Sequence, residues 1–122
     1  MARKKSPTLT DGELRLMEVL WRRGPSSVAT VAADLPKLAY STVMTMLRIL
    51  EDKGYLRHTK EGRAFVYHPL VDRTEAGRSA VRYILSRFFR NSPELLLLNL
   101  LKNEKIEAKE LSRLKKLVAE SE

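Results

Sequence analysis

Apolar positions recur with a helical period through most of this chain, and one segment sets the organisation of the rest. Residues 38–54, Leu38-Ala39-Tyr40-Ser41-Thr42-Val43-Met44-Thr45-Met46-Leu47-Arg48-Ile49-Leu50-Glu51-Asp52-Lys53-Gly54, read as one helix. At about 100° per residue, Val43, Met46, Leu47 and Leu50 share one side, and Ser41, Thr45, Arg48 and Asp52 fall opposite. Gly54 closes the helix just past its end. Upstream, Thr10-Asp11-Gly12-Glu13 has capping-box spacing. It opens a helix running to about Arg22, with Leu14, Met17, Leu20 and Trp21 on one side and Val19 at the flank. Gly24-Pro25 stops it. Ser26-Ser27 starts a short second helix, Val28 to about Leu35, whose stripe is Val28, Val31, Ala32 and Leu35. Pro36 ends that helix.

The period changes after Gly54. Tyr55 to Lys60 reads as extended, Glu61-Gly62 as a turn, and Arg63 to His68 as a returning strand closed by Pro69. Leu56 and the Phe65/Tyr67 side form the expected packing face. A two-stranded hairpin is marginal alone, so it must rest on the helices. Two helices joined by a short turn, then a hairpin, make a winged helix-turn-helix.

Helical spacing resumes at Asp72-Arg73-Thr74-Glu75, a second capping signature. A helix from about Thr74 to Arg90 carries Val81, Ile84, Leu85 and Phe88 in line, widened by Tyr83 and Phe89. Ser92 caps the next helix, with Pro93 at its first position. From Glu94 to Lys102 it is apolar almost all round, which demands burial on most sides. Glu107 to Glu120 is the last, with Leu111, Leu114, Leu117 and Val118 aligned. This C-terminal region is too small to hide so much leucine by itself. A second copy would supply the missing surface, through Ile84, Phe88, Leu96, Leu97, Leu100, Leu111, Leu114 and Val118. The competing arrangement folds these helices back onto the first domain of the same chain. The expected fold is mainly α with a small β-hairpin: a winged-helix DNA-binding domain over 1–72 and a helical dimerisation domain over 73–122.

Charge gives the helical surfaces a partner. In 122 residues, Lys+Arg is 23 and Asp+Glu 15, for a net charge of +8. Such an excess favours a polyanion, because neutralised phosphates release counterions. Small hydroxyls on the outer side of 38–54, near its start, let a helix sit deep in a major groove, and an Arg forks onto guanine or grips a phosphate. The residues singled out for DNA are Tyr40, Ser41, Thr42, Thr45, Arg48, Lys60 and Arg63, the last two at the hairpin tip. An ordinary amphipathic helix with a solvated face, and a merely solvated turn, are the plainer accounts of the same residues. The arm over residues 1 to 8 is basic and expected to fray.

Other chemistry is thinly represented. Cysteine is absent, which removes disulfides, thiolate metal sites and cysteine nucleophiles together. His58 and His68 lack a carboxylate cluster at ligand spacing, so structural roles are expected. No phosphate loop, nucleophile elbow or HExxH run occurs, so neither an enzyme nor a cofactor is expected. The start lacks the apolar stretch of a signal peptide. The longest nearly apolar run, Leu95 to Leu101, falls far short of the roughly 20 residues of a membrane span. A cytoplasmic protein with no membrane insertion is expected.

Several segments in order resemble the penicillinase-repressor and methicillin-repressor (BlaI/MecI-like) family. These are Leu9-Thr10-Asp11-Gly12-Glu13 with Trp21, Leu38 to Leu47, Lys53-Gly54-Tyr55-Leu56, Glu61 to Tyr67, and Leu98 to Glu104 followed by a charged helix. The resemblance implies a homodimeric winged-helix repressor of palindromic operators on double-stranded DNA, upstream of antibiotic-resistance or related operons. It puts Ser41, Thr42 and Thr45 at the start of the recognition helix and Arg63 on the wing. Better-known members carry Lys where this chain has Ser41. The resemblance also implies relief by cleavage, after a membrane sensor metalloprotease detects a β-lactam. The scissile Asn-Phe bond corresponds to Asn99-Leu100, where this chain departs in its second residue. The related copper-responsive branch uses C-terminal cysteines, which this chain lacks. Two other functions fit the residues: a ligand-sensing winged-helix regulator with its ligand between the C-terminal helices, and a winged-helix protein-interaction module.

Overall fold

The computed structural model describes residues 8–104 and 106–121. The basic arm, up to residue 7, lies outside the described residues. The elements in chain order are α1 (Asp11–Arg23), β1 (Ser26–Ser27), α2 (Val28–Asp34), α3 (Tyr40–Asp52), β2 (Leu56–Glu61), β3 (Ala64–Pro69), α4 (Arg73–Phe88), α5 (Pro93–Asn103) and α6 (Ala108–Glu120). Packing divides the chain into two units, the first ending at Tyr83 and the second beginning at Ile84. The sequence boundary at 72/73 is the start of α4, whereas this division falls inside that helix.

Helix α1 begins on the expected capping box. The Glu13 amide donates to the Thr10 hydroxyl at 3.2 Å, and the Thr10 amide donates to Glu13 Oε1 at 2.8 Å. It ends at Gly24, whose φ of 83° suits glycine. The buried side differs from expectation. Leu16, Met17, Val19 and Leu20 are buried, while Leu14 is exposed. Neighbours on both sides of α1 widen its apolar arc, and that arc is centred between Leu16 and Leu20 rather than on Leu14. Trp21 is half-buried against the core, and its indole N–H donates to the Val71 carbonyl at 2.8 Å. The Arg73 guanidinium lies 4.9 Å from the Trp21 ring centroid.

Ser27 caps α2, accepting from the Thr30 amide. Arg22 and Arg23 at the end of α1 both hold Asp34 at the end of α2. The Arg23 guanidinium first, and then Arg22, holds the Asp34 carboxyl down at about 2. The two helices are thereby tied at their C-terminal ends.

The hairpin is part of a larger sheet than expected. β1 pairs antiparallel with β3, Ser26 opposite Tyr67 and Ser27 opposite Val66, giving the order β1-β3-β2. Two serines carry no strand pattern of their own. They pair because Gly24 turns the chain alongside β3, whose outer edge would otherwise be open. Hairpin register runs from Leu56 opposite Pro69 to Glu61 opposite Ala64. The two intervening residues are Gly62, at φ 63°, and Arg63, which is not in the positive region. Positive φ at the first position alone is the pattern of a II′ turn.

One core serves helices and sheet together: Leu16, Met17 and Leu20 of α1, Val28 and Val31 of α2, Val43, Leu47 and Leu50 of α3, with Tyr55, Leu56, Tyr67 and Ala76. In α5 and α6, by contrast, no residue is buried. The leucine-rich α5 is therefore not enclosed within this one chain. Ser92 caps it as expected, accepting from the Leu95 amide, with Pro93 in its first turn.

Candidate nucleic-acid interface

Helix α3 is held by one side and bare on the other. Val43, Leu47 and Leu50 are fully buried, while Met46, expected beside them, is half-buried at the margin. Tyr40, Ser41, Thr42, Thr45 and Arg48 are all exposed. Exposed Ile49 interrupts this polar side. Sequence reading overlooked it, although an apolar residue between Arg48 and Asp52 was the visible signal. Such a side chain suits contact with a thymine methyl. The start of α3 is open as well. Its N-cap, Ala39, makes no side-chain cap hydrogen bond, and its first turn has no acidic residue. The first backbone N–H groups therefore point outward with the positive end of the helix dipole.

A buried anchor fixes the other end of α3. Lys53 Nζ donates to Glu13 Oε1 at 2.7 Å, and the Glu13 carboxylate also receives the Thr10 amide. Burial of Glu13 raises its pKa, but the Lys53 and Thr10 bonds together outweigh this and lower it below the ordinary 4.5. Close by, Gly12 on α1 faces Met46: an added Cβ would stand 2.9 Å from the Met46 methyl. The α1–α3 approach is thus tight enough to set how far α3 projects.

The wing stands beside α3. Leu56 and Tyr67 are buried at its base, while Phe65, expected to pack with Tyr67, is exposed towards the tip. Lys60 and Arg63 are exposed at the tip. A cleft of about 290 Å3 separates the tip from the helices, lined by Val28 and Ala29 of α2, Tyr40 and Met44 of α3, and Arg63, Ala64 and Phe65 of the wing. The two histidines lie on opposite faces of the hairpin. His58 Nδ1 lies 2.7 Å from Glu51 Oε1, and His68 Nε2 lies 2.8 Å from the Thr59 hydroxyl. Among the described residues no group of three or more His, Cys, Asp or Glu could hold a metal ion.

Few of the described cations are held in ion pairs. Arg22, Arg23, Lys53 and Arg73 each hold a carboxylate. Among the described residues, Arg48, Lys60 and Arg63 make no ion pair. The seven DNA-binding candidates thus fall on the outer face of α3 and the tip of the adjoining wing, with the cations unneutralised.

The dimerisation candidates lie elsewhere. Ile84, Phe88, Leu97, Leu100, Leu114 and Val118 are exposed, Phe88 by 74%, and Leu96 and Leu111 are half-buried. Asn99 and Leu100 are both exposed on α5. Among the described residues no helix is long and apolar enough to cross a membrane.

Known proteins give this arrangement a context. The family model described as penicillinase repressor matches residues 9–120. The penicillinase repressor of Bacillus licheniformis is 33% identical over 120 residues, covering 96% of this chain and 94% of that protein. The solution structure of the DNA-binding domain of the repressor BlaI is 39% identical and superposes with a TM-score of 0.54, over 60% of this chain and 93% of that one. The monomeric form of Bacillus licheniformis BlaI in complex with the blaP half-operator is also 39% identical, with a TM-score of 0.50 and the same coverage. A family match that spans nearly the whole chain, together with a winged helix that superposes on the BlaI DNA-binding domain, identifies this protein as a member of the penicillinase repressor family of DNA-binding transcriptional repressors, and not as an enzyme.

Proposed function

We propose that this chain is a homodimeric repressor that reads a palindromic operator through α3 and grips its backbone with the wing. The observation that carries the reading is the outer face of α3: Tyr40, Ser41, Thr42, Thr45 and Arg48 exposed over a fully buried reverse side. Ser41, Thr42 and Thr45 meet base edges or the nearest phosphates. Arg48 and Lys60 hold the backbone, Tyr40 borders the cleft, and Arg63 reaches from the turn. The half-operator complex of the BlaI relative supports DNA as the partner. Selection of bound duplexes from a random pool at stated salt tests this. Recovery of an inverted repeat with half-site centres about 34–36 Å apart is expected; recovery of no preferred sequence contradicts it.

Dimerisation uses the C-terminal helices. Ile84, Phe88, Leu97, Leu100, Leu114 and Val118 are large apolar side chains left exposed to water, the kind of surface that marks an interaction site. Two-fold pairing would cover it and set two α3 helices on one duplex. The proposal extends to control of an operon of the β-lactam-resistance type and to relief by a membrane sensor metalloprotease cutting α5 near Asn99-Leu100, both supported by the family resemblance. Cutting there would remove half of the pairing surface and lower operator affinity by mass action. Finding only intact chain after exposure to the cognate sensor and inducer would contradict that step.

A further inference from the structure

We infer that Glu51 of α3 is the positioning residue that holds the wing in its DNA-gripping posture, acting through His58. The inference rests on the operator-binding reading above, but its first test does not. β2 is an edge strand, since the sheet order is β1-β3-β2. An edge strand turns backbone groups outward with no ladder partner. At His58 the outward N–H is taken by the recognition helix itself: it donates to Glu51 Oε2 at 3.2 Å. The same carboxylate holds the imidazole, with Nδ1 at 2.7 Å from Oε1 and 2.8 Å from Oε2. One side chain thus grips β2 by both backbone and ring.

The grip passes on to β3. His58 stands opposite Tyr67 in the register, and its ring centroid lies 4.6 Å from that of Phe65 and 5.6 Å from that of Tyr67. Phe65 is two residues from Arg63. Beyond this point Arg63, Ala64 and Phe65 line a cleft of about 290 Å3 together with Tyr40 and Met44. The buried anchors Leu56 and Tyr67 lie at the base of the hairpin. Glu51 and His58 therefore tie α3 to β2 at the rung of Tyr67, the last buried anchor before the free tip. Beyond Val66, where β1 stops pairing with β3, only two strands continue; such a ribbon has little stiffness of its own, so the direction of the tip follows this tie.

Simple electrostatics makes the opposite forecast, which sharpens the test. Glu51 is an anion on the helix that faces DNA, so removing its charge should tighten binding if it does nothing else. A positioning residue must instead weaken binding when removed. The experiment compares the full-length chain with Glu51→Ala and Glu51→Gln, each alone and with Arg63→Ala. In the free protein, amide exchange at His58 and the wing tip should quicken at least about tenfold in Glu51→Ala, with core amides of α1 and α3 unchanged. Glu51→Gln, which keeps one acceptor oxygen, should recover part of the protection. On DNA, Glu51→Ala should weaken binding several-fold and lower the salt slope by about one unit, the share of one phosphate contact. In the Arg63→Ala background it should add nothing to the slope. Unchanged wing exchange overturns the inference whether or not DNA is bound. Tighter binding in Glu51→Ala, or a full additive loss on top of Arg63→Ala, also overturns it. Failure of the unaltered chain to bind any duplex would instead defeat the operator reading, and the exchange result would still decide the tie.

Discussion

Arg63 shows how much one position can carry. It occupies the second residue of the II′ turn because Gly62 takes the positive φ of 63° before it. Its guanidinium is exposed at the tip and makes no ion pair among the described residues. Such a cation contributes to every duplex alike. Arg63→Ala should weaken binding to all sequences and lower the salt slope by about one unit, measured by titration across salt concentrations. Gly62→Ala should act through the backbone. A Cβ in the left-handed region costs about 1–2 kcal/mol, so the turn opens and the same slope falls without loss of the Arg. Glu13 works differently, through stability. Its lowered pKa means that the folded chain prefers the carboxylate. That contribution is present above the ordinary value of 4.5 and is lost as pH falls through the lower folded-state value. Urea midpoints taken near neutrality and below 4.5 should therefore drop further for the unaltered chain than for Glu13→Gln. Loss of the cap and anchor in Glu13→Ala should cost about 1–3 kcal/mol.

Element by element, the sequence was most legible where one local rule sufficed. Thr10 to Glu13 announced the capping box, Ser92-Pro93 the start of α5, and the Val43, Leu47, Leu50 spacing the buried side of α3, and each was found. The hydroxyl-bearing face followed from the same spacing. What stayed hidden depends on partners distant in sequence. Ser26 and Ser27 become strand only because β3 lies alongside, and no period within two residues can say so. Leu14 was misplaced because its neighbours across α1, not its own spacing, choose the buried arc. Phe65 fits the apolar side of β3, yet it borders the open cleft facing α2 and α3 and stays exposed. The Glu51–His58 tie could not be read at all, since a Glu near a helix end and a His on a strand are each unremarkable alone.

At the scale of the whole molecule, the two units carry opposite surfaces. The first encloses an apolar core and shows polar and cationic groups on α3 and the wing; the second leaves Ile84, Phe88, Leu97, Leu100, Leu114 and Val118 exposed. If a second copy covers them, Phe88→Asp should leave each chain folded, because Phe88 is 74% exposed. It should shift the sedimenting species towards one chain and weaken operator binding, since a single winged helix loses the added grip of its twin. An unchanged dimer in Phe88→Asp would remove that residue from the pairing surface. The account as a whole stands on α3 as a reader of bases, and base selection with Thr45→Ala tests it most directly. Thr45 presents a methyl and a hydroxyl midway along the exposed face. Selected duplexes should lose or change preference at one symmetric position in each half-site, by about 1–3 kcal/mol, with the salt slope intact. Identical preferences for the two proteins at every position would contradict the account.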